Sequence, residues 1–327
     1  MKEREQEVMK MVRIYSEAAK VIIWIGESDY ITQKAMEAID EMANHRKRDA
    51  ASDDSVRFLT SNYNKLPGSD WRLRGILHIL ERKWFGRGWI VQEASVSRHA
   101  QVRCGAQSVS LIDLYRAYRY FVYIGGAFLN QEYLDNINGI SMSQMAYQKK
   151  LDRPLHSLLL RHRRAQTTLQ VDKVYALAGL ASDWAELNVN IDYAKPWREV
   201  YRDVAIAVLK HSGTLDILSG PRPPTHDPRS KDLPSWVPNW TFRDQMKSLL
   251  GHEMSVSHMY PNCAGGSDPP SISFSETLHH LILSGATIGT ITEVGQTMPP
   301  FNVASRSRSV SEVFRTYGLI QQPTDPS

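Results

Sequence analysis

Residues 83–93 read Lys-Trp-Phe-Gly-Arg-Gly-Trp-Ile-Val-Gln-Glu, and the fold of the chain is organised around this stretch. If a helix runs from about Phe85, Trp89 and Glu93 are four residues apart and share a helix face. This spacing places an aromatic ring beside a carboxylate, and it is the one arrangement in the sequence that indicates a reaction centre. The alternative from residue types alone is that Trp89 packs in a core while Glu93 faces water.

The segment before this stretch predicts a sheet. Residues 3–19 carry apolar side chains at helical spacing, and residues 21–25 then read Val-Ile-Ile-Trp-Ile. An unbroken apolar run of this kind is typical of a strand covered on both faces, and Gly26 ends it. A helix that leads directly into such a strand indicates an α/β layer with parallel strands.

The second half of the chain predicts mainly helices. Residues 130–149 are polar and weakly periodic, which indicates a loose boundary between two halves, and helices are expected over 155–160, 172–180 and 197–209. The basic run Arg161-His162-Arg163-Arg164 has two interpretations. It could attract an anion, or it could be the solvated end of a helix, where the helix dipole favours positive charge.

The C-terminal third has a different composition. Residues 233–240 read Leu-Pro-Ser-Trp-Val-Pro-Asn-Trp, which predicts a rigid extended clip whose indoles insert into a groove; a ligand site is the alternative. Residues 278–294 alternate in the manner of short strands. Residues 295–327 are rich in Ser, Pro and Gln and are predicted to be disordered.

The composition excludes several functional classes. Hydrophobic residues make up 42% and charged residues 23% of 327 residues, and the net charge is +4. These values fit a globular protein, and the charge is too mild to indicate nucleic acid or membrane binding. No run of eighteen apolar residues predicts a membrane span, and the charged N-terminus excludes a signal peptide. We therefore expect a cytoplasmic protein.

Familiar catalytic and metal-binding motifs are incomplete in this sequence. Cys104 and Cys263 lie far apart without a CxxC pair, so neither a disulfide framework nor a metal site is predicted, and Cys104 is expected to be a buried thiol. His252 lacks the second histidine of a zinc protease. His279 and His280 fall in a predicted strand, where neighbouring side chains point to opposite faces and cannot bind one metal.

A family resemblance changes the interpretation of the central stretch. Arg87, Trp89, Gln92 and Glu93 resemble the R-x-W-x-x-Q-E signature of the fungal heterokaryon incompatibility (HET) domain. Four further stretches are similar to the same family in the same order, at residues 14–26, 102–105, 172–180 and 233–240. HET domains open with two strands of the types S-Y-x-W-G and W-I-D-A-x-C-I-N-Q. This sequence starts at the helix that follows them, so we expect an N-terminally truncated domain.

The resemblance also implies a fold and a division of the chain. HET domains are distantly similar to Toll/interleukin-1 receptor domains. We therefore expect an α/β fold with a partial Toll-like sheet and flanking helices, followed by a mainly helical region and a small β-rich part. The expected divisions are a partial HET domain over residues 1–125, a helical region over 126–220, a Pro/Trp clip with β-rich region over 221–294, and a tail over 295–327.

The function implied by the resemblance is fungal non-self recognition coupled to programmed cell death. Active Toll-like domains carry a W-x-x-x-E segment whose glutamate serves NAD cleavage, which makes Glu93 the candidate catalytic residue, Trp89 the candidate NAD-binding residue and NAD the candidate substrate. No other cofactor is implied. Two alternatives stay open, a non-enzymatic self-associating adaptor and an inactive truncated paralogue. The candidate partners are a second copy of the chain or another incompatibility protein.

Overall fold

The computed structural model describes residues 2–48, 71–125, 131–223, 232–242 and 269–285. Residues Met1–Ser284 form a compact unit, and Gly285–Ser327 form a separate one, of which Gly285 alone is described. The strand alternation predicted beyond Gly285 and the disordered tail predicted over 295–327 therefore lie outside the described residues, as do His252 and Cys263.

The regular elements of the described residues alternate between helix and strand in the first half and are mostly helical in the second. In chain order they are α1 (Lys2–Glu17), β1 (Val21–Trp24), α2 (Tyr30–Arg48), α3 (Trp71–Leu80), a 3-10 helix (Lys83–Gly86), α4 (Ile90–Ser95), β2 (Ala100–Cys104), β3 (Gln107–Ser110), α5 (Leu111–Gly125), α6 (Gln131–Gln148), α7 (Leu155–Arg161), α8 (Asp172–Ala178), α9 (Trp184–Leu187), α10 (Trp197–Ser212), a second 3-10 helix (Asp216–Ser219), β4 (Ile272–Phe274) and β5 (Leu281–Leu283).

The strands of the first half form a small mixed sheet. Within the described residues its order is β1-β2-β3, with β1 parallel to β2 and β2 antiparallel to β3. The turn that joins β2 to β3 passes through Gly105 at φ 55°. Glycine suits this turn because a residue with a Cβ atom is strained in the left-handed region.

Strand β1 is covered on one face, so the expectation of cover on both faces is wrong. Ile23 is 2% exposed, whereas Ile22 and Trp24 are 60% and 49% exposed. Successive side chains of a strand point to opposite faces, and the helices described pack on the face of Ile23. The apolar run is therefore a half-exposed strand in the part of the chain that is described.

One hydrophobic cluster, here called the sheet core, joins the covered face of the sheet to α2, α3, α5 and α6. Helices α2 and α3 approach each other closely because Gly75 has no side chain. A Cβ atom at Gly75 would lie 2.6 Å from the Cβ of Ala35. The most deeply buried side chains of the sheet core include Ile23, Met36, Ile39, Ile76, Ile79, Leu114 and Tyr118.

Helix α6 occupies Gln131–Gln148, so the expectation of a loose segment over residues 130–149 is wrong. Ile137 and Ile140 are each 1% exposed and belong to the sheet core. Ser143 and Gln144 are also buried, because the next turn of the helix is covered by other parts of the chain. Buried polar residues interrupt the apolar stripe, which hides the helical period from a sequence pattern.

A second hydrophobic cluster, here called the helical core, is built from α7, α8, α10 and the clip at residues 233–240. Trp240 is 2% exposed, and its ring centroid lies 4.7 Å from that of Tyr201 in an edge-to-face contact. The Trp236 indole Nε1 donates to the carbonyl oxygen of His279 at 3.1 Å. Both indoles are thus inserted into the helical core, beside the antiparallel pair β4–β5.

Three residues of the basic run, His162, Arg163 and Arg164, are buried, so its interpretation as a solvated helix end is wrong. Arg163 and Arg164 are 9% and 8% exposed, and their guanidinium nitrogens lie 3.0 and 2.9 Å from one oxygen, Asp135 Oδ2. His162 Nε2 lies 2.8 Å from Ser143 Oγ, and burial lowers the pKa of His162 to about 3. The other interpretation of the basic run was that it attracts an anion. In the structure the negative charge beside it is the side chain of Asp135.

The structure has the mixed α/β character expected from the sequence, with a small sheet, a mainly helical second half and a short β pair near its end. His279 and His280 lie just before β5 rather than within a strand. The predicted boundaries at 125, 220 and 294 remain predictions, because the sheet core and the helical core both lie within the compact unit Met1–Ser284.

Candidate functional site

Helix α4 lies between the two cores, and it carries the signature stretch. Ile90 and Ala94 are buried in the sheet core, whereas Val91 is buried in the helical core. A helix of six residues is not stable alone, so α4 depends on packing against both cores. The residues of the signature are therefore positioned by both halves of the described chain.

The backbone before α4 is not one continuous helix from Phe85, which corrects the expectation. A 3-10 helix ends at Gly86, and the chain then pairs with Gln166: Gln166 N donates to Gly86 O at 2.6 Å, and Gly88 N donates to Gln166 O at 2.7 Å. A Cβ atom at Gly88 would lie 2.6 Å from Thr167 Cγ2, so this close pairing requires glycine. Helix α4 itself begins at Ile90.

Trp89 and Glu93 are nevertheless one helical turn apart, because Trp89 has helical backbone angles and the Glu93 N–H donates to its carbonyl oxygen at 3.4 Å. The Trp89 indole does not use Glu93 as its partner. Its Nε1 donates to Asp172 Oδ2 at 3.3 Å, and the hydroxyl of Tyr193 donates to Asp172 Oδ1 at 2.8 Å. The indole N–H of the candidate NAD-binding residue is thus engaged within the protein.

This contact brings two of the recognised sequence stretches together, the signature and residues 172–180. Asp172 opens α8 within the stretch 172–180, is 3% exposed, and links the indole of α4 to the Asp192-Tyr193 turn. Neither Asp172 nor Tyr193 was singled out as a site residue from the sequence. The available signal was that Asp172 falls in a stretch that resembles the family, but no pattern showed that its side chain meets those of Trp89 and Tyr193.

The carboxylate of Glu93 lies in a partly buried position. Burial raises the pKa of Glu93 above its usual value, and the nearby positive charge of Arg87 opposes that rise. The pKa of Tyr15 on α1 is also raised, first by burial and then by the negative charge of Glu93. Among the described residues no hydrogen bond or ion pair holds the Glu93 carboxylate. It is therefore an available anion flanked by Arg87 and Tyr15.

Gln92 is the one fully buried polar side chain of the signature. It is 0% exposed, and both its amide oxygen and its amide nitrogen lack a partner in the part of the chain described. Its amide lies against Gly179 at the end of α8, where a Cβ atom would come within 2.2 Å of Gln92 Nε2. Gly179 is consequently required by the side chain of Gln92, which couples α4 to the stretch 172–180.

Other groups and cavities lie apart from Glu93. The described residues contain no group of three or more His, Cys, Asp or Glu side chains that could hold a metal ion. Cys104 is 0% exposed, as expected for a buried thiol. Two cavities, of about 700 and 440 Å³, are lined by residues other than Trp89 and Glu93. No helix in the described ranges is long and apolar enough to cross a membrane.

Comparison with known proteins bears on the family. Residues 1–93 match the family model described as heterokaryon incompatibility protein (HET), and Glu93 is the last matched residue. Heterokaryon incompatibility protein 6, OR allele, from Neurospora crassa is 25% identical over 358 aligned positions, which cover 90% of this chain. The same alignment covers 50% of that relative, so the chain spans about half its length. No solved structure matches, and the likeness to Toll/interleukin-1 receptor domains receives no support from that comparison.

Proposed function

We propose, from the premise that this chain is a relative of heterokaryon incompatibility proteins, that it acts in fungal non-self recognition. The observation that carries the proposal is similarity to an incompatibility protein over 90% of the chain, with the family match reaching through the signature to Glu93. The signature side chains lie at the seam between the sheet core and the helical core.

The chemistry that we propose for Glu93 is NAD cleavage. Breaking the bond between nicotinamide and ribose leaves positive charge on the ribose, and a fixed carboxylate stabilises such a transition state. Nicotinamide departs as a neutral molecule, so a second acid is not required. A water molecule then bonds to the ribose carbon and loses a proton to solvent, which gives ADP-ribose. The partial burial of Glu93 supports this role, because a desolvated carboxylate interacts more strongly with a developing cation than a solvated one.

The test for this chemistry is nicotinamide release from NAD, followed by chromatography. Glu93→Gln keeps the size of the side chain and removes its charge, so we expect release to fall at least about 100-fold, the usual scale for the loss of one electrostatic catalyst. Glu186→Gln, at an exposed position on α9, is the matched control and should keep the wild-type rate. Absence of release from the wild-type chain, or equal release from Glu93→Gln, would refute NAD cleavage.

The recognition role is tested separately in cells. Expression in a fungal host that carries an unlike incompatibility genotype should arrest growth and cause cell death, whereas expression in a matched host should not. Retained arrest with Glu93→Gln would assign recognition without NAD cleavage. Equal growth of both hosts would remove the proposal of non-self recognition.

A second candidate, self-association without catalysis, is favoured by the open edge of β1. Among the described residues β1 pairs with β2 alone, and in a parallel ladder alternate residues turn their backbone groups away from the partner. Val21 N and Ile25 N donate towards β2, so the backbone N–H and C=O groups of Ile22 and Trp24 face the open edge. The exposed side chains of Ile22 and Trp24 lie on the outer face of the sheet. Two copies could join these edges around a twofold axis and cover the apolar side chains of each other.

Light scattering over a range of concentrations tests this second candidate. Ile22→Lys should prevent assembly because it places a charge among the apolar side chains that the two copies would cover. Ile14→Lys is a suitable control, since Ile14 is 55% exposed on α1 and away from the sheet. Assembly of the wild-type chain that survives Ile22→Lys, or a chain that stays monomeric at all concentrations, would exclude pairing through β1.

A further inference from the structure

A second candidate site, whose lining includes neither Trp89 nor Glu93, lies in the larger of the two cavities. This cavity of about 700 Å³ opens where β1 and β2 begin, between the first turn of α5 and the last turns of α6. Its volume falls in the range of pockets that bind small molecules. It shares no lining residue with the signature stretch.

The charge of the cavity lining is of one sign. Lys20, Arg98 and Arg116 line it, and no Asp or Glu does. Lys20 and Arg98 make no hydrogen bond or ion pair with the ranges that the structure describes. Arg116 lies 3.3 Å from Asp113, a carboxylate outside the lining. Cations gathered in one concave surface raise the local potential and attract anions.

The floor of the cavity is apolar and adaptable. Tyr115, Met142 and Met145 line it together with Leu111, and all of them are partly or fully buried. A tyrosine ring offers a flat face to a planar group, and methionine side chains fit themselves to irregular shapes. The lining therefore combines cations at the rim with a surface suited to a ring.

We propose that this cavity binds a phosphorylated small molecule of about mononucleotide size, with its phosphates against Lys20 and Arg98 and its ring against Tyr115 and the methionines. Phosphate suits the site because it carries more than one negative charge and accepts paired hydrogen bonds from arginine. Substitutions at the cavity therefore act on binding without touching Glu93.

Calorimetric titration with three probes separates the contributions of charge and ring. ATP carries both features, inorganic tripolyphosphate carries the charge alone, and adenosine carries the ring alone. We expect ATP to bind most tightly, tripolyphosphate more weakly and adenosine weakest, with ATP affinity falling as salt concentration rises. Equal affinity for ATP and tripolyphosphate would refute the role of the ring, and failure of ATP to bind at millimolar concentration would refute the site.

Two pairs of variants locate the binding. Lys20→Gln with Arg98→Gln should lower ATP affinity at least tenfold. Lys149→Gln with Lys150→Gln removes the same charge from exposed positions that do not line the cavity, and should change affinity less than twofold. Circular dichroism checks that each variant folds.

Met142→Trp tests the apolar floor independently of the charges. The larger side chain should fill the floor and lower the affinity for ATP towards that for tripolyphosphate. An equal loss in both charge pairs would show non-specific attraction and overturn the proposal.

Discussion

The sheet region and the helical region differ in which side chains they expose and which they bury. The sheet of the first leaves Ile22 and Trp24 about half exposed, whereas the second buries Arg163, Arg164 and Lys173. Each buried cation has partners: the arginines meet Asp135, and the Lys173 ammonium donates to backbone carbonyl oxygens. The difference teaches that the sheet core depends on apolar burial on one face, while the helical region also depends on matched charge.

Helix α4 packs in both cores. A destabilising substitution in either core should therefore lower the stability of the same folded unit. Ile90 packs in the sheet core, and its neighbour Val91 packs in the helical core. We therefore expect one cooperative unfolding transition for the described unit, and each substitution below should move that transition. Separate transitions for substitutions in the two cores would show that α4 does not couple them.

The largest expected change in the free energy of unfolding comes from Ile23 on β1, and its neighbour Ile22 provides the comparison. Ile23→Ala should lower the free energy of unfolding by about 3 kcal/mol, because it removes a buried side chain and leaves a cavity. Ile22→Ala, at a 60% exposed position of the same strand, should change it by less than about 0.5 kcal/mol. Urea denaturation measures both. Equal losses would mean that the outer face is covered in solution.

The helical region is tested by removing its shared counter-charge. Asp135→Asn should lower the free energy of unfolding by about 2.5 kcal/mol, because it leaves Arg163 and Arg164 buried without a carboxylate. This loss is smaller than is usual for a broken buried ion pair, because the Asp135 side chain is 19% exposed and solvent can partly replace it. Glu81→Gln, at an exposed position, serves as the control. A loss no larger than that of Glu81→Gln would remove the contrast between the two regions.

Sequence patterns predicted the regular elements better than the partners of polar side chains, for a physical reason. The helices expected over 155–160, 172–180 and 197–209 correspond to α7, α8 and α10. The run at residues 21–25 correctly indicates a strand because apolar β-branched residues favour strands, although its outer face proved to be exposed. Helix α6 and the basic run escaped prediction because their polar residues are satisfied by distant partners. The contact between Arg163 and Asp135 spans 28 residues, and no local pattern encodes it.

The candidate site shows the same limit. The spacing of Trp89 and Glu93 correctly predicted that they lie one turn apart, since that is a local property of helical backbone. The bond from Trp89 to Asp172 joins residues 83 positions apart, and it depends on the docking of α8 against α4. Family likeness marked both stretches, but it carried no information on which atoms meet.

Gly179→Ala tests the packing at the seam between the two cores, where the end of α8 meets α4. At φ −73° alanine is allowed and would by itself stabilise the fold by about 0.5 kcal/mol through the unfolded state. Its Cβ atom would, however, lie 2.2 Å from Gln92 Nε2 and 2.5 Å from Val12 Cγ2, and overpacking costs about 2 kcal/mol. We expect a net loss of about 1.5 kcal/mol.

A double-mutant cycle identifies the cause of that loss. Combining Gly179→Ala with Gln92→Ala should recover part of it, because the shortened side chain frees the space that the new methyl group needs. Strict additivity of the two substitutions in urea denaturation would show that Gln92 and Gly179 do not compete for the same volume.

A smaller effect is expected at the link between Trp89 and the second half. Tyr193→Phe removes the hydroxyl that donates to Asp172 at 2.8 Å, and should lower the free energy of unfolding by about 1 kcal/mol. Tyr30→Phe is the control because Tyr30 is 75% exposed. Thermal unfolding at pH 7 measures both variants, and equal melting temperatures for the two would mean that this hydrogen bond adds nothing to the seam.

The smallest effect concerns the pH dependence of Glu93. Its pKa is raised in the folded state by burial, so the native protein binds the proton more tightly than the unfolded chain between the two pKa values, and stability falls as pH rises through that interval. Glu93→Gln is neutral throughout and escapes this loss. Its melting temperature relative to wild type should therefore increase from pH 4 to pH 7, while Glu186→Gln shows no such trend. A relative melting temperature that falls over the same range would mean that the charge of Arg87 outweighs burial. In that case the folded protein would favour the charged form of the Glu93 carboxylate. Glu93 on α4 would then resemble Asp135 of the helical region, and the contrast between the two regions would not extend to α4.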